Sequence, residues 1–386
     1  MQTIARTFAS RTVEPADPAV NHDRHRARNT PTRPPRRSVT DRLARVPGRP
    51  PTLREIADRA GVHVSTASRV LRQPEPADGW SDAAQRVRRT AAELGYQPNL
   101  WAASLRTRRT TTLGVVMPRL TDGVVATMFQ GIEETATAAG YSVLLSSPPD
   151  DLGAQRDAVD FLSGRQVDGL LLSSLHSPSE DFLASLSTRS LPMLQLNRHP
   201  DPTLPYVAGD DAQGGRLAAR HLVERGYTDL AVIAGPAHAT TAQERLFGFR
   251  NGLSEYGIDL PDDRVRRTGF DVAGGVAAAT SLLDRPDRPR AIFAVSDTVA
   301  IGVIGVARDL GLTIPDDLGL VGYNDIPVAA QLPVPLTTIR SPARLIGATG
   351  VHLLLDLVAG RDVESAVLPV ELVERASSSA ARTRPR

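Results

Sequence analysis

Ser65 and Arg69 stand four residues apart in the run TLREIADRAGVHVSTASRVL (52–71), with Thr66 and Ser68 between them. Hydroxyls bond phosphate oxygens, and a guanidinium fork facing a groove pairs with guanine O6 and N7. The chemistry these residue types offer is recognition of a duplex, not bond making. Such residues need a short, rigid carrier, and the same run supplies it. Thr52 and Glu55 have capping-box spacing. Leu53, Ile56, Ala57 and Ala60 share one helical face, and Gly61 ends the helix in a sharp turn. A second helix buries Ala67, Val70 and Leu71 and turns Ser65, Thr66, Ser68, Arg69 and Arg72 outward. That is the geometry of a helix-turn-helix presenting its second helix to a major groove. After a proline-bearing loop, Ser81 caps a third helix, with Val87, Ala91 and Leu94 at helical spacing and Gly95 at its end.

Charge points the same way. Residues 1–112 hold 21 Arg against 10 acids and residues 113–386 hold 24 Arg against 33, so the formal +2 hides a basic third on an acidic body. Every cation is Arg, which reads as coding bias rather than a binding signature. The absence of cysteine excludes disulfides, thiolate metal sites and Cys nucleophiles. No apolar run reaches the roughly 18 residues of a membrane span, and the first 30 or so residues lack a secretion signal's apolar core. A cytoplasmic, nucleoid-associated protein with no membrane partner is expected. Residues 1–48 are rich in Arg, Pro, Thr and Ala and read as a disordered basic arm or the product of an upstream start codon. His22 and His25 near Asp23 make no metal site in such a tail.

From residue 112 the pattern changes. Apolar runs at 113–117, 141–147, 167–174 and 191–197 read as buried strands, with helical segments at 128–139, 155–164 and 214–226. A second series repeats the scheme at 229–235, 290–297 and 318–325. Such alternation means parallel sheets covered on both faces, and two series mean two α/β lobes with a cleft between them. Ligands sit at the carboxyl ends of such strands, which marks Asn197, Ser296, Asp297 and Asn324.

The motifs TLREIADRAGVHVSTASRVL, ELGYQPN, SLRTRRTTTLGVVMP, GIEETATAAGYSVLL, RQVDGLLLSS, GGRLAARHLVERGY, ERLFGFRNGL, VSDTVAIGVIGVARDLG, VGYNDIP and PLTTIR follow one another across residues 51–377. In this order and spacing the chain resembles the LacI/GalR family of bacterial transcriptional regulators. The resemblance implies an all-α helix-turn-helix head on a two-lobed, periplasmic-binding-protein-like α/β core. It implies a homodimer (tetramer possible), double-stranded operator DNA and a small-molecule effector, commonly a sugar, and no cofactor. The expected domains are a head at 49–98, a hinge helix and linker at 99–111, a core at 112–377 and a disordered tail at 378–386. Within the core, the N-lobe is expected at about 112–226 plus 338–366 and the C-lobe at about 227–337 plus 367–377.

The resemblance assigns base reading to Val64, Ser65 and Arg69. Val64 has core packing as its alternative role, and Arg69 a phosphate contact. Thr66 and Ser68 are expected on phosphates. The family usually has Ser where His63 stands; His is the poorer cap, so either the helix start is weaker or His63 donates to a phosphate. Residues 99–106 resemble the hinge helix, which is marginal alone. Asn99 opens it, Ala102 allows close approach, Leu105 matches the wedge driven into the minor groove, with dimer core as its alternative role, and Arg106 meets phosphate or belongs to a solvated basic linker. In the pocket, Arg245 matches the family's ligand-binding arginine, Asn324 its strand-end ligand and Phe270 its stacking aromatic. Asn197, Ser296 and Asp297 join as strand ends, with helix capping as the alternative for Asp297. Asp210 reads as a pocket acid or a helix cap. Asp122 lies in TDGVV, where Val124 and Val125 replace the aromatics many relatives stack on a sugar.

Two other functions have weaker support. A transport solute-binding protein shares such a core but has a secretion signal and no DNA-binding head. An enzyme would need a Ser-His-Asp order, a phosphate-binding Gly-Lys loop or metal-ligand spacing, and none is present.

Overall fold

The computed structural model describes residues 51–71, 73, 80–96, 109–173, 175–176 and 180–379. The chain divides into two compact units, Met1–Pro98 and Asn99–Arg386.

The first unit is built from α1 (Leu53–Ala60), α2 (Val64–Val70) and α3 (Asp82–Leu94). The capping box forms as its spacing dictates: Glu55 N donates to Thr52 Oγ1, and Thr52 N donates to Glu55 at 2.7 Å. Gly61 closes α1 at φ 65°, a left-handed position that suits glycine. Ile56, Ala57, Ala67, Val70, Val87 and Ala91 share the core, with Val64 and Leu71 packed half-buried against it.

The second unit holds two six-stranded sheets. The N-lobe sheet comprises β1 (Thr112–Val116), β2 (Ser142–Ser146), β3 (Gly169–Leu172), β4 (Met193–Leu196), β5 (Tyr206–Gly209) and β11 (Ala366–Leu368), in the order β11-β5-β4-β3-β1-β2. The C-lobe sheet comprises β6 (Leu230–Ala234), β7 (Val265–Arg267), β8 (Ala291–Ala294), β9 (Gly319–Asn324), β10 (Thr337–Arg340) and β12 (Glu371–Val373), in the order β12-β10-β9-β8-β6-β7. Pairing is parallel except between β10 and β12. Both faces are covered, so β3, β4, β6 and β8 are buried throughout. In the N-lobe, α4 (Gly123–Ala138) and α11 (Ala343–Val358) pack on one face. The opposite face takes α5 (Leu152–Gly164) and α6 (Glu180–Ser187). In the C-lobe, α7 (Asp211–Glu224) and α8 (Thr240–Ser254) cover one face. The other face carries α9 (Val272–Leu283) and α10 (Asp297–Asp309).

The lobe boundaries differ from the sequence expectation. Helix α7 packs on α8, inside the C-lobe, so the first crossing falls after β5 and not near residue 226. The cause is close helix packing: a Cβ on Gly248 would lie 1.9 Å from the Ala212 carbonyl oxygen, and one on Gly215 would lie 2.2 Å from that of Arg245. The other crossings follow β10 and β11, so β10 belongs to the C-lobe and β11 to the N-lobe. The three run side by side. Asp210 N donates to Leu368 O, and a Cβ on Gly209 would lie 3.4 Å from Val370 and 3.7 Å from Pro342. The expected disordered tail also starts too early, because Ser378 is buried and its hydroxyl bonds Thr337 and His221.

Candidate functional site

In the head, the exposed side of α2 carries Ser65 and Arg69, one turn apart, with His63 exposed just before them. Thr66 and Ser68 are half-buried, as is Val64. His63 corrects the expectation of a poor cap. Its Nδ1 accepts from Ser65 N at 3.3 Å and lies 2.7 Å from Ser65 Oγ. Accepting at Nδ1 leaves the neutral ring's proton on Nε2, free to donate outward. Asn99, Ala102, Leu105 and Arg106 lie outside the described residues.

In the core, Arg245, Asn324, Phe270, Asn197 and Asp122 all line one pocket at the carboxyl ends of both sheets, of about 30 Å³. Asn197 and Asn324 take positive φ, 63° and 109°, at the turns leaving β4 and β9. Asn324 Oδ1 is buried and has no hydrogen-bond partner, an acceptor left open where a ligand would sit. Asp122 caps α4 through Val124 N; burial pushes its carboxyl up, with Arg119 opposing. Arg245 donates Nε to Asp211 at 2.9 Å and Nη1 to Val295 O at 2.8 Å, with its guanidinium 3.7 Å from the Tyr323 ring centroid. Asp210, a candidate pocket acid or helix cap, is the cap of α7, accepting from Gln213 N, and neither it nor Asp211 lines the pocket.

Asp297 and Ser296 do not join the pocket. Asp297 is fully buried, accepting from Thr338 Oγ1 at 2.6 Å and Ile326 N at 2.9 Å. Burial pushes its carboxyl up to about 7 against those hydrogen bonds. Ser296 caps α10 by accepting from Thr298 N. Both follow a strand, but their side chains turn under the sheet end, not into the cleft. A groove of about 350 Å³ lies beyond Asn324, lined by Pro327, Arg340, Pro342 and Leu345 among others; the converging polar groups are in the smaller pocket.

Sequence reasoning missed the charged rim. Arg119, Arg198, Ser173 and Thr241 line the pocket too. Arg198 clasps Asp150 through both carboxylate oxygens at 2.8 and 2.9 Å. His176 Nε2 is 3.0 Å from Asp150, and Arg119 is 3.4 Å away. Burial alone would raise the Asp150 carboxyl, but His176, Arg198 and Arg119 hold it well below the usual carboxylate range. His238, from the C-lobe loop after β6, stacks on His176 at 3.8 Å; burial, His176 and Arg198 push its ring pKa down. Asp150, His176 and His238 bring ligand atoms within 4.8 Å of one another. Electrostatics oppose a metal there: Arg198 occupies both carboxylate oxygens and a second guanidinium, Arg119, adjoins. The available signal was position, since Arg198 directly follows Asn197 at the same strand end.

Known proteins share this layout. The description "Bacterial regulatory proteins, lacI family" matches residues 52–99, and "Periplasmic binding protein-like domain" matches residues 219–378. The chain is 32% identical over 331 residues to the HTH-type transcriptional repressor PurR of Photobacterium profundum, covering 84% of this chain and 98% of that one. It is 30% identical over 332 residues to the ribose operon repressor of Escherichia coli K12, covering 85% and 99%. Among solved structures, the lac repressor dimer bound to operator and the anti-inducer ONPF superposes with a TM-score of 0.78 at 29% identity, covering 86% of this chain and all of that one. The CelR–cellobiose complex superposes at 0.65 with 32% identity, covering 85% and 99%.

Proposed function

This chain belongs to the LacI family of bacterial regulatory proteins, and we propose that it is a transcriptional repressor whose grip on an operator is set by a sugar or sugar derivative held between its lobes. The observation that carries the reading is the pocket. Phe270, the acceptors Asp122 and Asn324 and the guanidinium donors Arg119, Arg198 and Arg245 all line it, a set able to bracket vicinal hydroxyls. Both lobes contribute, so occupancy changes the balance between open and closed cores. On DNA, Ser65 and Arg69 read bases, with Val64 beside them. His63, Thr66 and Ser68 hold phosphates. Asn99, Ala102, Leu105 and Arg106 serve a hinge that docks in the minor groove of a site spanned by a homodimer.

The test begins with operator selection from random duplexes, followed by effector screening of the full chain by thermal shift, with hits rechecked on operator binding. No preference for any duplex over random competitor, with or without metabolites, defeats the reading. Arg69→Ala should cost about 1–3 kcal/mol on the selected operator and little on random DNA. Equal losses on both would leave Arg69 a phosphate contact.

A further inference from the structure

We propose that the effector is an anionic polyol, a phosphorylated sugar or a sugar acid, and that its oxyanion is taken between Arg119 of the N-lobe and His238 of the C-lobe. The proposal rests on the effector-gated reading above and narrows it.

Two nitrogen atoms carry the argument. Arg119 Nε and His238 Nε2 are both buried and lack a hydrogen-bond partner. The two side chains come from facing lobes and flank one oxygen: Arg119 Nη1 lies 3.4 Å and His238 Nε2 3.8 Å from Asp150 Oδ2. A buried donor without a partner is costly, and a ligand acceptor placed beside that oxygen is within reach of both side chains. An oxyanion serves better than a hydroxyl, because it has lone pairs to spare and its charge-assisted bonds are roughly twice as strong.

The surroundings supply positive charge: two guanidiniums, Arg119 and Arg198, meet a single carboxylate, Asp150. The charge on Arg119 is under-compensated: burial and Arg198 outweigh Asp150, Asp122 and Asp271. An added anion relieves that imbalance. Arg119 leaves β1 with φ 49° and lies over Phe270, 4.9 Å from the ring centroid. A polyol body can take that ring face while Arg119 swings to the anion. Since Val124 and Val125 stand where stacking aromatics are usual, charge supplies the selectivity that stacking does not. An anion gripped from both lobes also draws them together.

The full-length protein is tested in two ways. Thermal unfolding of the core is followed in inorganic phosphate and in chloride at matched ionic strength. Calorimetry then compares ribose with ribose 5-phosphate, and glucose with glucose 6-phosphate and gluconate. Phosphate should raise the wild-type Tm, and one anionic polyol should bind at least about tenfold more tightly than its neutral parent. Arg119→Gln and His238→Gln should each bring that ratio close to one and remove the phosphate effect; two variants guard against one folding poorly. Phosphate and carboxylate arms separate the two sources of anion. Neutral parents that bind as tightly as their anions, or an anion preference that survives both substitutions, overturn the proposal. If neutral sugars shift operator binding and charged ones do not, the anion site falls while the effector-gated reading stands. If no polyol binds but phosphate stabilisation vanishes in both variants, the anion site stands and the polyol falls.

Discussion

In the C-lobe wall of the cleft, Arg245 is 3% exposed and closes on Asp211, itself 2% exposed, with a backbone carbonyl taking another donor. In the N-lobe wall, the Arg119 side chain is 28% exposed and shares Asp150 with Arg198 and two histidines. The first pair is sealed within packed helices α7 and α8. The second is a cluster at the rim, where Arg119 and His238 are partly exposed and can exchange partners while Arg198 stays buried on Asp150. One wall is fixed scaffold and the other is adaptable, which is how a cleft can keep its shape and still respond to what enters.

The largest test of this contrast removes one acid from each wall. Asp211→Asn leaves the Arg245 charge buried and unpaired, and should cost about 3–5 kcal/mol in urea unfolding. Asp150→Asn should cost less, about 1–3 kcal/mol, since Arg119 and His238 can turn to water and only Arg198 stays buried beside the lost charge. Equal losses would erase the distinction. Next, Gly248→Ala forces a methyl against the Ala212 carbonyl and should destabilise the C-lobe by about 1–3 kcal/mol; a neutral result would mean the α7–α8 contact is loose.

A further test is a pair of opposed pH slopes. Asp297 of the C-lobe titrates at about 7 when folded, above the ordinary carboxylate value near 4. Its contribution is full below about pH 4 and is lost as pH rises through about 7, because the folded state binds the extra proton. Asp150 of the N-lobe is shifted down, so its contribution is present above about pH 4 and is lost as pH falls further. In unfolding measured from pH 3 to 8, Asp297→Asn should flatten the neutral-side decline and Asp150→Asn the acid-side one. A single slope common to both variants would contradict the assignments.

Local signals were legible in the chain. The capping box at Thr52 and Glu55, the glycine stops at Gly61 and Gly95 and the long apolar strands all act within a few residues. Short edge strands such as β7, β11 and β12 left no run long enough to see. The lobe that owns α7 was hidden because it depends on glycines meeting across two helices. At the site, the rule that ligands gather at strand ends found Asn197 and Asn324 but overreached at Asp297 and Ser296, where a helix start captures the side chain. It also stopped one residue short of Arg198. The Asp150 cluster was invisible for a different reason: it assembles from the ends of β1, β2, β3, β4 and β6, and no sequence spacing records that meeting.

The three chain crossings between the lobes lie against one another at Gly209, Pro342 and Val370. Parallel straps joining two plates resist twisting and sliding but yield to folding along their common line, like the spine of a book. Turning about that line is therefore the easiest way for the cleft to open or shut. A substitution at that spine would alter how stiffly the pages turn rather than which words are read.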